Sequence, residues 1–119
     1  MSMKIINNLY NTSIENTKIA IDKIISGEVI IYPTDTLYGF GADATNSNAI
    51  SQINQIKGRN SPLSIIINDL EQIYEYAKIR KGVFSRINEL LPGPYTILLE
   101  SKNNPKISPH IQCDSKLIG

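Results

Sequence analysis

Glu28-Val29-Ile30-Ile31-Tyr32-Pro33-Thr34-Asp35-Thr36-Leu37-Tyr38-Gly39-Phe40-Gly41 begins as an apolar run and empties into hydroxyls, a carboxylate and two closely spaced glycines. Glu28 to Tyr32 reads as a strand buried on both faces, because its apolar residues are continuous instead of alternating. Thr34, Asp35, Thr36 and Tyr38 follow at once. One or two such residues are ordinary turn chemistry, with Asp and Thr bonding nearby backbone. Four of them around a proline at a strand end point to a loop that lines a small polar ligand. One short helix later, Lys57 and Arg59 flank Gly58. Basic residues at a helix C-terminus are favoured by the helix dipole alone, with Gly58 as the left-handed cap. In the functional reading the same two side chains grip phosphate oxygens, Arg as a planar fork and Lys as a point charge.

Outward from this stretch the chain alternates helices and strands. Ile14 to Ile25 carries apolar residues at 14, 20, 21, 24 and 25, a helical stripe that Thr12 or Ser13 can cap and Gly27 ends. Ser47 can cap a second helix with Ala49, Ile50, Ile53 and Ile56 on one face, ending at Gly58. Pro62 to Ile67 reads as a buried, β-branched strand opened by a proline. Leu70 to Ala77 reads as a third helix. Val83 to Leu91 reads as a fourth, stopped by Pro92-Gly93-Pro94. Tyr95 to Glu100 is then a strand, Ser101 to Pro109 a loop, and Lys116 to Gly119 the start of another strand. The alternation predicts an α/β or α+β domain around one central sheet, without an internal boundary.

Size and composition narrow the function classes. The chain has 119 residues, 41% of them hydrophobic and 19% charged, which suits one globular domain. The formal net charge of +1 provides no broad basic field for nucleic acid or an anionic membrane, so any polyanion must meet a local patch. Cys113 and His110 are the single cysteine and the single histidine, read as surface or strand-edge residues. A disulfide within the chain and a multi-cysteine zinc site are excluded. The N-terminus lacks the apolar core of a signal peptide and no run reaches membrane-spanning length, so the expectation is a cytoplasmic protein.

Gly39-Phe40-Gly41-Ala42-Asp43-Ala44 formally fits a dinucleotide-binding fingerprint. That motif needs its glycines at the strand-to-helix turn, so that pyrophosphate meets helix N–H groups. Here Pro33 to Tyr38 intervene, and a polar stretch precedes the helix at Ser47. The glycines are read instead as a backbone path running close to a ligand. A Walker loop is excluded because Gly58 follows its lysine. No paired-glutamate, Ser-His-Asp or Cys-His set can be assembled, so an enzyme of this sequence works by positioning and charge neutralisation. Thr96, just after the rigid Pro92-Gly93-Pro94 turn, can face the same site as Thr34.

Gly27-x-Val29-Ile30-x-x-Pro33-Thr34-Asp35-Thr36-x-Tyr38-Gly39-x-Gly41, Ile56-Lys57-Gly58-Arg59, Pro62-Leu63 and Pro92-Gly93-Pro94-x-Thr96 together resemble the YrdC-like domain of threonylcarbamoyl-AMP synthases. The resemblance covers nearly the whole chain. It implies an α/β domain, residues 1–119, with a twisted central sheet forming an open concave cavity. The family condenses L-threonine, bicarbonate or CO2, and ATP into threonylcarbamoyl-AMP and pyrophosphate. Its product serves the proteins that modify the adenosine beside the tRNA anticodon. Carried over by position, Thr34 and Thr36 line the threonine end, with Tyr38 and Thr96 as further candidates. Lys57 and Arg59 hold the ATP phosphates and act in catalysis. Ser61 contacts nucleotide, and Mg2+ is held mainly by phosphates, not by a dedicated protein site.

Two departures accompany the resemblance. The segment between Arg59 and Pro62 is shorter than the family's usual loop. The chain also stops before the family's Arg-x-Pro strand and Ser-x-Asn motif, so the domain is expected to be C-terminally truncated. A non-catalytic module binding nucleotide, or double-stranded RNA or tRNA, is the competing reading. A carbamoyl-transfer relative is a third, disfavoured because such domains lie in larger chains with zinc-binding cysteines. Self-association through an unpaired sheet edge completes the expectations.

Overall fold

A computed structural model of the protein describes residues 14–34 and 37–119. Two compact units are present, Met1–Asp43 and Ala44–Gly119.

In the first unit, α1 (Ile14–Ile25) forms as the apolar stripe predicts. Gly27 adopts φ 85°, its N–H bonding the Ile24 carbonyl while the Glu28 N–H bonds the Lys23 carbonyl. This paired closure occupies carbonyls that a helix end otherwise leaves open. The expected cap residues Thr12 and Ser13 lie outside the described residues. None of the residues of α1 is fully buried, and Ile14 and Ile25 are largely exposed.

The strand expected at Glu28 to Tyr32 is β1 (Ile30–Pro33), and it does not stand alone. It pairs antiparallel with β2 (Tyr38–Gly41), in the register Ile30 to Gly41 and Tyr32 to Gly39. The stretch read as a loop is thus half hairpin. Nor is β1 buried on both faces: its residues alternate, with Ile31 56% exposed. An antiparallel ribbon covered on one face shows that alternation, whereas the continuous run of apolar residues suggests a doubly covered strand.

In the second unit, α2 (Ser47–Lys57) is capped by Asn46 and not by Ser47: the Asn46 side chain accepts from the Ala49 N–H at 3.1 Å. Ser47 occupies the first helical position and donates to Ser108 Oγ at 2.9 Å, or accepts from it. Ala49, Ile50, Ile53 and Asn54 form the buried stripe. Ile56, expected on that face, is mostly exposed. The Leu70 to Ala77 helix is a 3-10 turn, Leu70–Gln72, running into α3 (Ile73–Tyr76). The fourth helix is α4 (Val83–Leu90). Ile73, Ala77, Ile87 and Ile118 make the buried cluster, flanked by half-buried Ile65, Phe84 and Leu99.

The remaining strands are short. Leu99–Glu100 (β3) pairs antiparallel with Leu117–Ile118 (β4), and Ala77 bridges Ser101. The fold is α/β, but its described ladders form two separate two-stranded ribbons instead of one continuous central sheet. Pro62 to Ile67 runs extended without a ladder, tied by Leu63 N–H to the Ile111 carbonyl and Ile65 N–H to the Gly119 carbonyl. Its burial alternates, and Ile66 is 83% exposed. The part of the Tyr95 to Glu100 run before Leu99 is likewise outside any ladder.

Candidate functional site

β1 and β2 carry the hydroxyl-rich residues of the first unit. The Thr34 N–H donates to the Leu37 carbonyl at 3.0 Å, and the Thr34 hydroxyl donates to the same oxygen. The Leu37 N–H returns a bond to Thr34 Oγ1 at 3.1 Å. Thr34 is therefore a structural element of the hairpin turn, as its residue type allows. Tyr38 stands opposite Pro33 and is largely exposed. Thr36 and Asp35 lie outside the described residues. Gly39 and Gly41 lie under the Tyr32 ring: a Cβ on Gly41 would sit 2.9 Å from Tyr32 Cε1, and one on Gly39 3.4 Å from Tyr32 Cζ. The close approach that was expected to serve a ligand is made by this aromatic ring.

At the start of the same unit's hairpin, Glu28 accepts from Ser26 Oγ at 2.9 Å and pairs with Lys23 Nζ at 3.2 Å. The Ser26 hydrogen bond, then Lys23, holds the Glu28 carboxyl below the ordinary carboxylate value.

Lys57, Arg59 and Ser61 follow one another at the end of α2 in the second unit. Gly58 takes φ 67°, its N–H reaching the Gln55 and Asn54 carbonyls, and the Arg59 N–H bonds the Asn54 carbonyl at 3.2 Å. The left-handed residue reverses the chain, so Lys57 remains on the helix while Arg59 departs from it. Both side chains are exposed, and neither is in an ion pair among the described residues. Both are anion-binding residue types, lysine as a point charge and arginine as a planar fork.

Beyond Ser61 the chain enters a recess of about 220 Å3, lined by Pro62, Leu63, Ser64, Leu98, Ser115, Leu117 and Gly119. Thr96 lies at its side, its Cγ2 3.1 Å from where a Gly119 Cβ would stand. The recess is apolar and hydroxyl-bearing, and Lys57, Arg59 and Ser61 are not among its lining residues. Its volume falls below the roughly 300 Å3 at which small-molecule sites begin. His110 is exposed, and Cys113 is a half-buried free thiol, Sγ lying 3.5 Å from the His110 carbonyl oxygen. Among the described residues there is no group of three or more His, Cys, Asp or Glu that could hold a metal ion. No described helix is long and apolar enough to cross a membrane.

Asn54 escapes a reading of periodicity, since an amide side chain gives no apolar signal. It is 6% exposed, and its Oδ1 has no hydrogen-bond partner among the described residues.

Comparison with known proteins adds to this geometry. Residues 22–119 match the Sua5/YciO/YrdC family model, described as telomere recombination. A protein from Methanocaldococcus jannaschii is 42% identical over 67% of this chain and 40% of its own length. The threonylcarbamoyl-AMP synthase of Bos taurus is 33% identical over 72% of this chain and 32% of its own length. The crystal structure of P. abyssi Sua5 complexed with L-threonine superposes with a TM-score of 0.77 at 31% identity, covering 87% of this chain and 31% of that one. The chain spans two fifths or less of the length of these relatives.

Proposed function

The chain belongs to the Sua5/YciO/YrdC family, and from that premise we propose that it carries part of an L-threonylcarbamoyladenylate synthase. The substrates are L-threonine, bicarbonate or CO2, and ATP. The products are threonylcarbamoyl-AMP and pyrophosphate, the former passing to the proteins that modify the adenosine beside a tRNA anticodon. One observation carries the reading: α2 ends in a left-handed glycine that presents Lys57 and Arg59 to solvent, with no ion pair to either among the described residues. Cations spent on protein carboxylates could not serve a triphosphate; these are available.

The chemistry asks little of a general base. The neutral threonine amine attacks the carbon of CO2, forming an N–C bond as one C=O π bond opens onto oxygen, and the N–H proton passes to water. A carbamate oxygen then attacks the α-phosphorus, and the bond from that phosphorus to the bridging oxygen of pyrophosphate breaks. Lys57 and Arg59 bind the departing phosphates and offset the charge that develops on them. Ser61 and the adjoining recess receive an uncharged part of the nucleotide, and Thr34, Thr36, Tyr38 and Thr96 are the candidates for holding threonine. Mg2+ supplies charge neutralisation when bound. Its oxygen ligands would come mainly from phosphates and water.

The test is pyrophosphate release from the chain incubated with ATP, threonine and bicarbonate. Release that depends on threonine is the expected result. Saturable ATP binding without such release identifies a nucleotide-binding module instead, and absence of both overturns the proposal.

A further inference from the structure

We propose that Asn54 is a positioning residue for the phosphate grip: its buried amide oxygen accepts one N–H of the Lys57 ammonium and aims the other two at phosphate oxygens. The inference rests on Lys57 being a phosphate ligand, as argued above. Its own evidence is separate. Asn54 lies on the buried stripe of α2 beside Ile50 and Ile53, where an apolar residue would pack without polar cost. Its Oδ1 is buried and without a partner among the described residues. Native interiors rarely leave such an atom unsatisfied, so a donor that arrives with the functional state is the economical explanation.

The helix itself selects the donor. Residues three apart share a face, and long side chains lean back toward the helix N-terminus, so the Lys57 side chain can reach back over the turn that carries Asn54. The ammonium has three donors and no acceptor, enough to hold the amide and an anion together. Arg59 is a poorer candidate, because the left-handed Gly58 takes it off the helix face. The main chain adds to the arrangement: the Asn54 carbonyl accepts from both Gly58 N–H and Arg59 N–H, so the same residue anchors the turn on which both cations stand.

A double-mutant cycle on ATP affinity tests this, using Asn54→Leu, Lys57→Ala and the pair. Asn54→Leu alone should weaken ATP binding about tenfold, the worth of one well-placed hydrogen bond. In the Lys57→Ala background it should have no further effect, because its action runs through that lysine. The thermal midpoint of Asn54→Leu should stay at or above that of the parent, since an apolar side chain replaces an unsatisfied acceptor. Unchanged affinity in Asn54→Leu, or an equal loss with and without Lys57, overturns the inference while leaving the phosphate grip intact. A Lys57→Ala variant that binds ATP normally overturns the phosphate grip itself. Should Asn54→Leu fail to fold, Asn54→Ala goes through the same cycle and is judged by the same outcomes.

Discussion

At residue 41, one methyl group separates a hairpin that closes from one that must rearrange. A Cβ there would lie 2.9 Å from Tyr32 Cε1, closer than real Cβ contacts come, and 3.2 Å from Cδ1, itself a tight contact. Gly41→Ala should therefore destabilise the first unit by about 1–3 kcal/mol, the range for overpacking. Gly39→Ala should cost less, because its contact of 3.4 Å is ordinary. Urea denaturation of the two variants checks the ranking, and an equal effect would show that the ring does not set it. Lys57 and Arg59 are tested by function: the Lys57→Ala, Arg59→Ala double variant should weaken ATP binding by a few kcal/mol, about a hundredfold or more, as charge-assisted bonds are lost. Titration calorimetry measures it, and unchanged affinity would remove these residues from the site. The glycines were legible in the sequence as a special backbone position. Their reason was not, because the ring that requires them sits across a ladder whose second strand has no apolar run to announce it.

Among the elements, α2 shows how far local signals reach. Its end was written in Gly58, whose φ of 67° only glycine adopts without strain, and no atom stands within 4 Å of an added Cβ. Gly58→Ala isolates the backbone effect and should lower stability by about 1 kcal/mol, which thermal denaturation can measure. Its beginning is less legible, since Asn46 and Ser47 are both good caps and only the tertiary geometry selects Asn46. The junction of α3 with β3 provides a pH test. Lys78 Nζ pairs with Glu100 Oε1 at 2.6 Å, while the Lys102 N–H bonds the Tyr76 carbonyl and Asn104 Nδ2 the Glu75 carbonyl. The Lys78 hydrogen bond, then its charge, holds Glu100 below the usual carboxylate value of 4.5. A carboxyl depressed in the folded state contributes stability above its unfolded titration point and loses it as pH falls through the folded one. The stability gap between the parent and Lys78→Ala should thus be present at neutral pH and close as the medium is acidified below 4.5. A gap that persists unchanged in acid would mean that Lys78 acts through its packing.

For the whole molecule, burial is unevenly distributed. Ile73, Ala77, Ile87 and Ile118 form a buried cluster, whereas α1 has no buried residue. Hydrogen exchange should accordingly be slowest at amides of α3, α4 and β4 and faster through α1. Ile87→Ala should cost about 2–5 kcal/mol by urea denaturation, as large-to-small changes in a closed core do. Helix positions, their glycine ends and the family motifs could be read from the chain alone, because 3.6-residue periodicity and left-handed caps depend on neighbours within a few residues. Strand pairing could not. Whether Pro62 to Ile67 joins a ladder, whether β1 is covered once or twice, and that Asn54 carries a buried, unpartnered oxygen all depend on residues far away in sequence. Tertiary structure alone decided those, since a hydrogen-bond partner or a covering side chain is a property of what folds alongside.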